Sequence, residues 1–187
     1  VRELQDELED DKYTVGPYND ELAGMYKPVE EQWPYHAIVD TILAHNILRA
    51  DECVDVTKIG ICGVSWGSVI ATLAIGYDTR YAFAIPIYGS AYLGHAVTIC
   101  TSVFREARVK QLWSAQDRLS NTRFPILWLC ALHDAAFCSY SNSRSYLDTK
   151  QNGGYLSIRQ ELSHSHQAAW ECEESYRFAD CVLAGKE

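Results

Sequence analysis

No run of about 18 consecutive apolar residues occurs in the chain, so nothing in it reads as a membrane-spanning helix. A basic start followed by an apolar stretch is also missing, so no signal peptide is visible and the cytoplasm is the expected location. Methionine is scarce: the chain starts at Val1 and its single methionine is Met25, as expected of a processed, trimmed or partial chain. Positive charge is in deficit. The net charge of −9 argues against nucleic acid or an anionic membrane surface as partner. The cysteines (Cys53, Cys62, Cys100, Cys130, Cys138, Cys172 and Cys181) include no CxxC pair and no zinc-like spacing. Their odd number and scatter favour a reducing compartment. Cys62 and Cys130 fall inside apolar runs, where a thiol is expected to behave as a small hydrophobe. Internal repeats and low-complexity linkers are lacking too. At 187 residues with 48% hydrophobic and 22% charged residues, one soluble globular domain over 1–187 is expected.

What the chain does contain is an ordered series of punctuated segments. Six carboxylates crowd the first eleven positions, a solvated leader followed by a turn-rich loop to about residue 30. "YHAIVDTILAHNILRA" has helical spacing and predicts a helix over 34–49, with Pro34 in the first turn and His36 and His45 at the surface or the edge of the core. "TKIGICGVS" predicts a strand buried on both faces, and "WGSVIATLAIGY" a helix closing near Gly76. "YAFAIPIYGS" and "FPILWLCALHD" are further buried strands. Between them, residues 90–122 read as helical or irregular, a candidate cap-like insertion. A helix stopped by Gly153-Gly154, a fourth strand "YLSIRQELSHSH" and one final amphipathic helix over 167–185 complete the chain. Trp170, Tyr176 or Phe178, and Val182 or Leu183 are expected on that helix's apolar side. Apolar strands alternating with helices predict an α/β fold, a mostly parallel sheet flanked by helices.

The chemistry centres on "CGVSWGS". Gly-x-Ser-x-Gly between a buried strand and a helix places Ser65 at a strained corner, with glycines two residues to either side relieving Cβ clashes. The helix N-terminus and the backbone N–H of Trp66 are then placed to stabilise an oxyanion. A hydroxyl needs a base, and the base needs a carboxylate to orient it. Asp134 ends the third strand, and His164 and His166 follow the fourth, so acid and base come after the serine in the order this architecture uses. Either histidine fits that position. His-x-His also suits a metal pair, but no third ligand stands at a fitting spacing, so neither metal nor cofactor is expected. Trp33, Trp66 and Trp113 are candidates for an aromatic platform under a sugar ring.

These segments, from about residue 28 to 183, resemble a branch of the α/β-hydrolases similar to acetyl xylan esterases and the catalytic domains of prolyl-oligopeptidase-type enzymes. The resemblance implies an α/β-hydrolase fold and hydrolysis of a carboxylic ester through an acyl-enzyme. The expected substrate is a small ester, an acetylated carbohydrate first among them. Residue by residue, Ser65 matches the nucleophile, Asp134 the acid and His166 the base, with His164 the alternative. The chain departs from the pattern in lacking the strands that usually precede the serine strand, the His-Gly-Gly loop and the second oxyanion donor that loop supplies. The implication is a hydrolase shortened on its N-terminal side, whose first strand has an open edge awaiting another segment or subunit. A prolyl-oligopeptidase-like peptidase and a catalytically inactive fragment or subunit are the alternatives.

Overall fold

The structure, a computed structural model, describes residues 23–96 and 99–185; the acidic leader at 1–11 lies outside them. Four strands, β1 (Gly60–Val64), β2 (Phe83–Ile87), β3 (Ile126–Ala131) and β4 (Gly154–Arg159), form one sheet in the order β1-β2-β3-β4. Every pairing is parallel, with Ile61 opposite Ala84, Ile87 opposite Leu129 and Trp128 opposite Leu156. Parallel neighbours need long crossovers, and helices supply them. The helices are α1 (Trp33–Ala50), α2 (Trp66–Tyr77), α3 (Ala107–Trp113), α4 (Ser139–Thr149), α5 (His166–Trp170) and α6 (Glu173–Leu183).

Successive side chains of a strand point to opposite faces, so β2 and β3 each feed two cores. Ala84, Ile126 and Trp128 pack with Ile38, Val69, Leu73 and Met25 on the face covered by α1 and α2. Phe83, Ile85, Ile87, Leu127 and Leu129 face the other way, against Ala169, Phe178 and Val182 of α5 and α6. Within the predicted insertion, the described residues 90–96 and 99–122 form short 3₁₀ turns and α3, and their Phe104, Val109, Trp113 and Leu119 are buried in the first core. No helix among the described residues is long and apolar enough to cross a membrane.

Three expectations need correction. First, β1 is not buried on both faces. Among the described residues it pairs only with β2, and its outer edge is open. On the face shared with Val64, α5 and α6 cover β2 and β3, which leaves Cys62 exposed rather than packed. Cys130, on the central strand β3, is fully buried, and burial pushes its thiol up to about 11.

Second, the last helix is two. The chain breaks at Glu171–Cys172, where the buried Cys172 turns inward and donates its thiol to the Ala168 carbonyl. The break rotates Trp170 and Tyr176 into solvent and leaves Phe178, Val182 and Leu183 as the packed face.

Third, His45 is a core residue, 2% exposed. Its Nδ1 lies 2.8 Å from Asp78 Oδ2, and its ring stacks on Tyr81 at 4.1 Å. Asp78 follows α2 and accepts two further bonds from the Arg80 guanidinium, both at 2.7 Å. Burial alone would raise the Asp78 carboxyl, but the bonds from Arg80 and His45 outweigh it and hold the group down at about 2.

The folded pKa is depressed below the ordinary value of about 3.9, so the stabilisation is complete above that value and is lost as pH falls towards 2. Replacing Asp78 with Asn takes the carboxylate from the buried His45 and from the solvent-exposed Arg80 guanidinium and is expected to cost about 2 kcal/mol at neutral pH. Urea unfolding of both proteins checks this. The gap between them narrows on going from about pH 7 to about pH 3, and a constant gap would contradict the ionic reading.

Candidate active site

The site is built where β1 hands over to α2. Ser65 sits there with φ 56° and ψ −119°, a left-handed backbone that costs a non-glycine residue about 1–3 kcal/mol. The surroundings hold it in place. Its N–H donates to the Ile87 carbonyl at 3.0 Å, and its carbonyl accepts from the N–H groups of Ser68 and Val69. Of the two motif glycines, only Gly63 is sterically required. A Cβ there would stand 2.3 Å from the Gly67 carbonyl oxygen, whereas a Cβ on Gly67 would meet nothing within 4 Å. Strand and helix backbones therefore touch at the corner, and Gly63 is what lets them. Ser68, fully buried, donates its hydroxyl to the Gly89 carbonyl at 2.7 Å and ties α2 to the loop after β2.

Asp134 sits in the turn after β3 with its side chain wholly buried. Its Oδ1 accepts from the N–H groups of Ala136 and Phe137, each at 2.7 Å, so its own turn fixes the carboxylate. Its Oδ2 is 2.8 Å from His164 Nδ1, and His164 Nε2 is 2.6 Å from Ser65 Oγ. A carboxylate can only accept, which puts the imidazole proton on Nδ1 and leaves Nε2 free to accept from the serine hydroxyl. The His164 side chain is 31% exposed and stands between the rings of Tyr88 (4.5 Å) and Phe137 (6.1 Å).

The structure thus joins Ser65 and Asp134 through His164, the alternative of the two histidines, and places His166 outside that chain of hydrogen bonds. Ser165 is the N-cap of α5, its Oγ accepting from the Ala168 N–H at 3.2 Å. His166 is therefore already the first helical residue, whereas His164 precedes the cap and stays on the loop. It remains exposed on the rim of the same cleft, about 270 Å³ in volume and lined by Ser65, Tyr88, His164, Ser165 and His166.

Trp66 opens α2, where a backbone N–H has no intrahelical acceptor. Its indole packs away from that cleft, at 5.6 Å from Trp33 and 6.0 Å from Phe104. Trp113 is buried and donates to Gln32 Oε1 at 2.6 Å. The three tryptophans line or flank the first core, so they make no sugar platform beside Ser65. Among the described residues, no three His, Cys, Asp or Glu side chains gather in a way that could hold a metal ion.

Tyr88 and Phe137, which flank the histidine, escaped the sequence reading. Phe137 lies three residues past Asp134, but Tyr88 is the last residue of an apolar strand run and carries no local mark.

No protein-family model and no curated protein sequence matches the chain. Solved structures do. A puromycin-hydrolyzing peptidase of Mycobacterium tuberculosis is similar with a TM-score of 0.70 and 19% identity, over 83% of this chain and 26% of that one. Pyrococcus horikoshii acylaminoacyl peptidase gives 0.68 and 19%, over 89% and 30%. An acetyl xylan esterase from Paenibacillus sp. R4 gives 0.70 and 20%, over 91% and 60%. The fold is of the α/β-hydrolase type. The chain spans between 26% and 60% of the lengths of these three structures.

Proposed function

We propose that the protein is a serine hydrolase that cleaves small carboxylic esters through an acyl-enzyme. The observation that carries this is the unbroken chain Ser65 Oγ, His164, Asp134 at 2.6 Å and 2.8 Å, on a strained strand-to-helix corner. Ser65 Oγ attacks the acyl carbonyl as His164 Nε2 takes its proton. The C–O bond to the leaving group then breaks, and the alcohol departs with that proton. Water attacks the acyl-enzyme by the same route in reverse, releasing the acid and restoring the serine. Asp134, anchored by its own turn, holds the imidazole in the Nδ1–H form and offsets its charge when protonated. The Trp66 N–H is the proposed oxyanion donor. The open edge of β1 is where the sheet takes a further strand, from outside the described residues or from a second subunit.

Likeness to an acetyl xylan esterase over 91% of the chain supports an acetyl ester of a carbohydrate. The likeness to a puromycin-hydrolyzing peptidase and an acylaminoacyl peptidase favours, as the second reading, a peptidase of the prolyl-oligopeptidase type. Chromogenic substrates separate them. Turnover of an acetyl ester at least about tenfold above the octanoyl ester, with aminoacyl anilides inert, is expected of the esterase. Preference for the anilides would transfer the assignment to a peptidase.

A further inference from the structure

The loop that carries the proposed base has little burial of its own. From Ile158 to Gln167 every residue is exposed except Leu162, yet His164 must stay within hydrogen-bond reach of both Ser65 and Asp134. Asp134 is well anchored, but it grips the loop only through the imidazole. Something else has to fix the backbone on which that imidazole is mounted.

Tyr88 meets that need. It follows β2 directly, is fully buried, and has φ 34°, a positive value that a bulky side chain adopts only under constraint. Its N–H donates to the Leu129 carbonyl at 2.7 Å, which ties this backbone to β3. Its hydroxyl donates to the carbonyl oxygen of Ser165, the residue after His164, while its ring lies 4.5 Å from the imidazole at an interplanar angle of 40°. One rigid side chain, rooted in the sheet, therefore touches both the ring of His164 and the loop backbone beside it.

We propose that Tyr88 is the positioning residue of His164: its hydroxyl clamps the Ser165 carbonyl and its ring sets the plane of the imidazole. A phenol is protonated at neutral pH in any case, and burial, with smaller contributions from Cys172 and Asp134, raises this one further, so it stays a donor. The kinetic consequence rests on the hydrolase reading above; the structural consequence for His164 does not.

Tyr88→Phe keeps the ring and removes only the donor. On a chromogenic acetyl ester, kcat is expected to fall about tenfold with KM within about twofold of the parent, because the loss touches alignment and not substrate contact. In proton NMR, the downfield His164 Nδ1–H resonance, identified by its disappearance in His164→Gln, is expected to broaden or vanish. A variant that is folded, with lowered thermal stability but unchanged kcat and an unchanged resonance, would show Tyr88 to be packing alone and overturn the proposal. If the parent protein turns over no ester, the hydrolase reading fails by itself. The resonance then decides alone: its loss in Tyr88→Phe upholds the clamp, and its persistence overturns it.

Discussion

Ser65→Ala is expected to lower kcat for ester hydrolysis by about 10⁶, to the level left by binding and the oxyanion donor alone. The fold should survive, because the hydroxyl contributes one bond to a partly exposed imidazole while the corner itself is held by backbone contacts to Ile87, Ser68 and Val69. Ser65→Gly sharpens the point. At φ 56° a glycine relieves strain that any other residue stores, so this variant should be equally inactive but more stable by about 1 kcal/mol. Thermal unfolding beside the kinetics checks both. An inactive Ser65→Gly protein with a raised Tm would mark the corner as strained for chemistry. Retained turnover in Ser65→Ala would remove Ser65 from the reaction.

The second large effect separates two histidines only two residues apart. His164→Ala removes the group that joins Ser65 to Asp134 and is expected to cost a comparable factor of about 10⁶ in kcat. His166→Ala removes a rim residue outside that chain, and its effect should stay within about threefold, mainly in KM. The reverse order would return the base to His166 and mean that the cleft rearranges around substrate. Comparable losses in both variants would mean that the rim residue contacts the reacting group.

Why the sequence left these two histidines open is instructive. Both follow the fourth strand, and a serine precedes each, so either serine could cap the next helix. A cap at Ser165 puts His166 into the helix and leaves His164 on the loop, and that cap was the available local signal. What holds the loop in place, however, comes from Tyr88, 77 residues from Ser165, and no local pattern reports it.

The same division runs through the fold. β2 and β3 were legible because they are central, buried on both faces, and apolar at every position. β1 carries the same kind of apolar run, but whether it is central or an edge depends on a neighbour, which periodicity cannot supply. His45 sits in a helical stripe that looked peripheral, and it became core only because the Asp78 carboxylate arrives from the end of another helix. The serine corner was readable because its sterics are local: Gly63 and Gly67 oppose each other across one turn.

The central claim is that His164, linked to Asp134, activates Ser65. Labelling with a fluorophosphonate probe, followed by peptide mapping, tests it most directly on the parent protein and on His164→Ala and His166→Ala. The account predicts modification at Ser65 in the parent and in His166→Ala, with the rate collapsing in His164→Ala. No labelling of the folded parent, or labelling that survives the loss of His164, would contradict it.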